Sequence, residues 1–171
     1  MFPVLLILLL LMCPAAWGQT PVEVPSGRLV LTLGSLQVPE GTQWQKFAEP
    51  GKVLYVGSRQ REVFMVTVSK RDGAIPASRK AESLQAYAES YAQETAGNFH
   101  AKAVDVRSRP HQRGCEFSFS LSNGIKVVGD YRQGKSEILL LTAMNGSLED
   151  FKAMAASFRA SPGKFKPPVY K

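Results

Sequence analysis

The chain has 171 residues, of which 44% are hydrophobic and 20% charged, and its formal net charge at pH 7 is +7. This composition excludes a disordered chain, and the length is enough for one domain with its own hydrophobic core. The positive charge would attract anionic partners such as acidic proteins, lipid head groups or lipopolysaccharide, although a moderate excess more often only keeps a protein soluble.

Residues 1–18 have the pattern of a secretory signal peptide. An apolar run from Phe2 to Met12 is followed by a small-residue segment from Pro14 to Gly18, although no basic residue precedes the run. The run is too short to cross a bilayer, which takes roughly 20 apolar residues. We therefore expect cleavage and export without a remaining transmembrane anchor, to the periplasm in a bacterium and otherwise to the medium.

The next part of the chain predicts three strands after a flexible lead-in at 19–27. The strands are apolar runs with β-type alternation, at Leu29 to Val38, Val53 to Gly57 and Val63 to Ser69. Between the first two, the segment from Pro39 to Trp44 predicts a turn that exposes or half-buries the tryptophan.

An amphipathic helix is predicted from Arg79 to Ala96. Its apolar positions recur with the helical spacing, at Leu84, Tyr87, Ala88, Tyr91, Ala92 and Thr95. Ser78 is placed to cap the start of this helix, and Gly97 is placed for a left-handed cap at its end.

Four further strands and a closing helix follow. The strands are predicted at Ala101 to Arg109, Cys115 to Leu121, Ile125 to Arg132 and Glu137 to Met144. Ser147 is the expected N-cap of the helix, whose buried stripe is predicted to be Leu148, Phe151, Met154, Ala155 and Phe158. Residues 162–171 form a basic flexible tail.

The order of these elements predicts one α+β domain at 28–161. We expect an antiparallel sheet of about six to seven strands packed by two main helices, because strands joined as hairpins with helices between them build such sheets.

The element order also resembles the PsbP/DcrB-like group of proteins. The resemblance covers residues 28 to 160 and includes the central helix and the closing signature from Asp150 to Phe158. It implies an α/β/α sandwich that serves mainly for protein–protein interaction, and it implies no catalytic or binding residue by position.

No catalytic motif is present, and we expect neither a cofactor nor a metal. The histidines are His100 and His111, too few for a zinc site with recognisable ligand spacing. Cys115 is the one cysteine after the leader, and it begins an alternation that turns it inward with Phe117 and Phe119. A thiol enzyme that pairs Cys115 with a histidine remains an alternative, as does a hydrolase that uses paired carboxylates.

One basic segment is the candidate binding site. In an extended chain, Arg107, Arg109, His111 and Arg113 share a side. Such a stripe suits an acidic partner or a phosphate-bearing surface, although charges more often only protect an edge strand from aggregation. Nucleic acid is disfavoured because the protein is exported and carries no nucleic-acid-binding motif.

From these observations we expect a non-enzymatic binding protein that contacts another envelope or secreted protein. The alternatives are a small thiol- or carboxylate-dependent hydrolase, and a binder of anionic lipid or lipopolysaccharide through the basic face.

Overall fold

The structure is a computed structural model that describes residues 20–70, 80–112 and 114–165. The predicted leader, Ser78, Arg113 and residues 166–171 of the basic tail lie outside the described residues. In the described part, no helix is both long enough and apolar enough to cross a membrane.

The strands, in chain order, are β1 (Thr20–Val22), β2 (Arg28–Leu31), β3 (Gly34–Gln37), β4 (Gln43–Glu49), β5 (Lys52–Arg59), β6 (Glu62–Lys70), β7 (Ala103–His111), β8 (Gly114–Leu121), β9 (Lys126–Gln133), β10 (Glu137–Met144) and β11 (Arg159–Ala160). The described helices are α1 (Lys80–Asn98) and α2 (Leu148–Ser157), with a short 3₁₀ turn at Pro25–Gly27.

Eight strands form one antiparallel sheet in the order β1-β4-β5-β6-β10-β9-β8-β7, and β2, β3 and β11 form a smaller sheet. The α+β class is therefore confirmed, but the predicted count of six to seven strands is too low. One reason is that the run from Leu29 to Val38 is a hairpin, β2–β3, and not a single strand. Gly34 allows β11 to pair closely with β3, since a Cβ there would lie 2.1 Å from the carbonyl oxygen of Arg159 in β11.

The turn predicted from Pro39 to Trp44 is wrong at its end, because Trp44 lies in β4 and is only 3% exposed. Its ring covers Gly57, its partner in β5, where a Cβ would come within 2.5 Å of the indole. The polar side chains of β4 hide the strand from a hydrophobicity pattern. In the predicted lead-in, Thr20–Val22 also pairs with β4.

The two faces of the large sheet carry separate hydrophobic cores, because successive side chains of a strand point to opposite faces. In β10, Leu139 and Leu141 belong to one core, and Leu140 belongs to the other. The first core also contains α2 and the small sheet, whereas the second contains α1. The two helices therefore pack on opposite faces.

Helix α1 confirms the predicted element and packs on β7 and β8. The small side chains of Ala88, Ala92 and Ala96 are buried against a set of aromatic rings, and Tyr91 lies 5.3 Å from Phe117 between ring centroids. Residues Cys115, Phe117, Phe119 and Leu121 of β8 are all buried on this side, as their alternation predicts.

The end of α1 differs from the prediction, because Gly97 lies inside the helix. The N–H of Ala101 donates to the carbonyl of Ala96, and that of His100 donates to the carbonyl of Gly97. These bonds form a Schellman motif in which His100, at φ 50°, is the left-handed residue. The helix continues past Gly97 because Phe99 still packs against the α1 core.

Helix α2 begins where the sequence predicts. The N–H of Asp150 donates to Ser147 Oγ, and Phe151, Met154 and Ala155 are buried. Leu148 was predicted in the same buried stripe, but it is 52% exposed. It is the first residue of the helix and lies beyond the edge of the core.

The backbone assignments predict opposite effects for two glycine-to-alanine substitutions. At both Gly97 and Gly124 an added Cβ meets nothing within 4 Å, but Gly124 has φ 89° and Gly97 has no positive φ. We expect Gly97→Ala to stabilise the fold by about 0.4–1 kcal/mol, because alanine restricts the unfolded chain. Gly124→Ala should cost about 1–2 kcal/mol, because its backbone is left-handed.

Urea unfolding of the two variants beside the parent protein measures both effects. A destabilising Gly97→Ala would mean that Gly97, and not His100, is the left-handed residue at the end of α1.

Candidate functional site

The predicted basic residues on β7 lie along one face of the edge strand of the large sheet. Arg107 pairs with Ser118 and Arg109 with Glu116, so these side chains lie on the same face. His111 follows on that face and Arg113 lies outside the described residues. The strand runs through Pro110 rather than ending before it, which an edge strand tolerates because its outer N–H positions need no partner.

Arg107 and Arg109 line a groove of about 530 Å³ that we call the β7–α2 groove. Its floor is the face of β7, β8 and β9 that α1 does not cover, and its wall is one flank of α2. From the sheet, its charged lining residues are Arg107, Arg109, Glu116, Asp130 and Arg132, and from α2 they include Lys152. The groove volume is within the range of ordinary ligand sites.

Asp130 is the buried centre of a charged network at the groove floor. It is 3% exposed, and its Oδ2 accepts from Arg132 Nε at 2.9 Å and Nη2 at 2.6 Å. Its Oδ1 lies 3.0 Å from Nε2 of His111. Because a carboxylate only accepts, this contact requires the histidine to donate from Nε2. The charge of Asp130 is therefore compensated within the protein.

Arg132 also connects this network to the groove wall. Its Nη2 donates to the backbone carbonyl of Ala155 in α2 at 2.7 Å, and its guanidinium lies 5.7 Å from the ring centre of Phe158. Both Arg132 and His111 therefore have partners in the fold. His111 was predicted as a binding residue; the structure places it against Asp130, and its role in binding stays a prediction.

Three other cations around the groove differ from Arg132, which is held by contacts within the fold. Arg107 and Arg109 are exposed on β7, and Lys152 is exposed on α2. Within the parts of the chain that are described, none of the three takes part in an ion pair or a side-chain hydrogen bond. Among the described residues that line the groove, Glu116 is the carboxylate that remains to oppose them, so the surface offered to a ligand is positive.

Several groove residues were missed by the sequence reasoning, although a signal for some of them exists. The alternation that turns Cys115 and Phe117 inward puts Glu116 on the other face of β8, and the hairpin register then places Asp130 directly opposite it. The register of the β8–β9 hairpin would thus have identified these two residues of the groove floor. Leu148 and Lys152 of the wall carry no such signal, because they reach the groove only through the packing of α2 on the sheet.

Three basic residues of β5, of β6 and of the turn between them do not line the groove. Arg59 of β5 binds Asp150 and Glu62 instead, and neither Arg61 nor Lys70 lines the groove.

Cys115 lies on the opposite face of the sheet from His111, one of the two histidines predicted as its possible partner. Cys115 pairs with Pro110 and faces the α1 core, whereas His111 faces the groove and pairs with Gly114. Cys115 is 0% exposed, and burial, with a smaller effect from the charge of Asp130, raises the pKa of its thiol to about 11. A thiol held in this way is a poor nucleophile at neutral pH.

The described ranges contain no cluster of three or more histidine, cysteine, aspartate or glutamate side chains able to hold a metal ion. No protein-family model, curated protein or solved structure matches the chain.

The burial of Cys115 predicts that a chromogenic thiol reagent will not label the folded protein. The full chain should carry Cys13→Ser so that Cys115 is its one thiol. At pH 8 we expect labelling to be at least about 100-fold slower in the native protein than in denaturant, because the thiolate is both scarce and inaccessible. Equal rates in the two states would contradict the burial and restore a thiol-dependent enzyme as a candidate.

Proposed function

We propose that the protein is an exported, non-enzymatic binding module that takes an acidic partner protein of the envelope or secreted compartment in its β7–α2 groove. The observation that carries this proposal is a set of cations around one concave surface, Arg107, Arg109 and Lys152, that have no ion-pair partner among the described residues. Walls of low dielectric focus the field of such charges, which speeds encounter with an acidic partner and disfavours basic ones.

The compartment and the family are part of the same proposal. Export is supported by the apolar run and small-residue segment at 1–18. The relation to PsbP/DcrB-like proteins, with their α/β/α sandwich and interaction role, is supported by the order of strands and helices. The packing of α1 and α2 against opposite faces of one sheet also supports it.

A carboxylate-dependent hydrolase is the second candidate, because Glu116 and Asp130 are directly opposite on neighbouring strands. Residues in this relation have Cβ atoms about 5 Å apart, so their carboxyl groups can act on one substrate. Such an enzyme needs carboxyl groups that exchange protons, whereas Asp130 is held as an acceptor by Arg132 and His111. We therefore place binding first.

The proposal predicts that reversing the groove charges abolishes capture of the partner. Chemical crosslinking from the exported fraction should recover an acidic protein with the parent chain and lose it with the double variant Arg107→Glu and Arg109→Glu, because like charges then face each other. The captured protein is identified by mass spectrometry, and its binding is measured again with purified components.

The matched control reverses two exposed lysines outside the groove, Lys52→Glu and Lys135→Glu. It changes the net charge by the same amount, so the partner should still bind. Equal loss in both double variants would mean that overall charge, and not the groove, drives binding. If both double variants still bind the partner, the groove is not the binding site. Binding to anionic vesicles that falls steeply with salt, without protein capture, would instead favour a lipid-binding role.

A further inference from the structure

We infer that the β7–α2 groove recognises a short extended segment of its partner, in which two carboxylate side chains flank one apolar side chain. The inference rests on the proposed function and specifies the chemistry of the partner. Its three supports are the size of the groove, the spacing of the arginines and the apolar surface between the charges.

The size of the groove limits what it can hold. Strands spaced about 4.8 Å apart in sheets about 10 Å apart occupy about 160 Å³ per residue, so about three extended residues fill the groove volume of about 530 Å³. A helix with its side chains is about 10–12 Å wide, and little more than one turn of it would fit. The volume therefore limits the bound segment to a few residues, and the spacing of the arginines indicates its conformation.

The spacing of the arginines indicates where the carboxylates lie. Arg107 and Arg109 are two residues apart on one face of β7, so their backbone positions are separated by about 6.8 Å. Side chains at positions i and i+2 of an extended segment point to the same side with the same spacing. Two carboxylates in that relation can each meet one guanidinium, a pairing that arginine makes with good geometry.

The wall of the groove accounts for the apolar residue between the two carboxylates. The middle residue of an extended segment points away from Arg107 and Arg109, towards α2. There it meets Leu148, which is 52% exposed, and Ala156 two turns further along the same flank. Lys152 lies between them, and its methylene stem can cover an apolar side chain while its ammonium stays in water.

Leu148 is exposed and is not part of the hydrophobic core, so a peptide segment that covers it removes apolar surface from water. A flat membrane surface fits this arrangement less well, because the groove is concave between a helix and an edge strand. The combination of charge and apolar wall therefore favours a peptide over a lipid surface.

The test uses three fluorescent peptides with capped ends and the cores Glu-Leu-Glu, Glu-Ser-Glu and Lys-Leu-Lys, titrated with the full chain at low salt. Fluorescence anisotropy should show the tightest binding for Glu-Leu-Glu. We expect Glu-Ser-Glu to bind about tenfold more weakly, because it lacks the apolar contact. Lys-Leu-Lys should not bind.

Two variants and one control connect these results to the groove. Leu148→Ser should remove the preference for Glu-Leu-Glu over Glu-Ser-Glu while leaving the charge dependence intact. Arg109→Glu should weaken Glu-Leu-Glu at least tenfold, because one carboxylate then meets a like charge. Lys135→Glu, outside the groove, should change neither result.

The outcomes separate this inference from the proposed function. Equal affinities for Glu-Leu-Glu and Glu-Ser-Glu would overturn the inference, and the proposed function would stand if Arg109→Glu still weakened binding at least tenfold. Absence of peptide binding beside groove-dependent capture of an acidic protein would also overturn the inference alone. If the peptides fail and vesicles of anionic phospholipid bind through Arg107 and Arg109, both are wrong.

Discussion

The position of α2 is the constraint on which the rest of the site depends, because arginines from the sheet hold both ends of this helix. At its start, Arg59 of β5 binds Asp150, and Glu62 Oε1 accepts from the N–H of Ser147 at 3.0 Å. Near its end, Arg132 of β9 donates to the carbonyl of Ala155. Glu62 lies at the positive end of the helix dipole and Arg132 lies at the negative end, so both contacts are favourable.

Fixed in this way, α2 covers the β9–β10 region of one face, while α1 covers β7 and β8 on the other. The groove is the part of the first face that remains beside α2. The same network determines which charges of the groove are paired. Asp130 binds Arg132 and His111, whereas Arg107 and Arg109 remain exposed to solvent. The contacts that stabilise the wall thus also determine which cations can meet a ligand.

The sequence predicted the elements with strong local patterns. These are the alternation from Cys115 to Leu121, the serine cap at Ser147 and the closing helix. It did not predict that Trp44 lies in a strand, because the burial of its ring depends on Gly57 across the ladder. It also did not predict the contact of His111 with Asp130, because the two residues are 19 apart in the chain and meet only across the sheet.

Backbone amide NMR during titration with a short polyglutamate peptide tests most directly whether the groove is the anion-binding surface of this protein. Because the groove gathers cations that have no ion-pair partner in the described part of the chain, the largest shift changes should occur at Arg107, Arg109 and Glu116 and at Lys152 of α2. Shift changes spread evenly over all exposed basic residues, or centred on the face that α1 covers, would contradict a binding site in the β7–α2 groove.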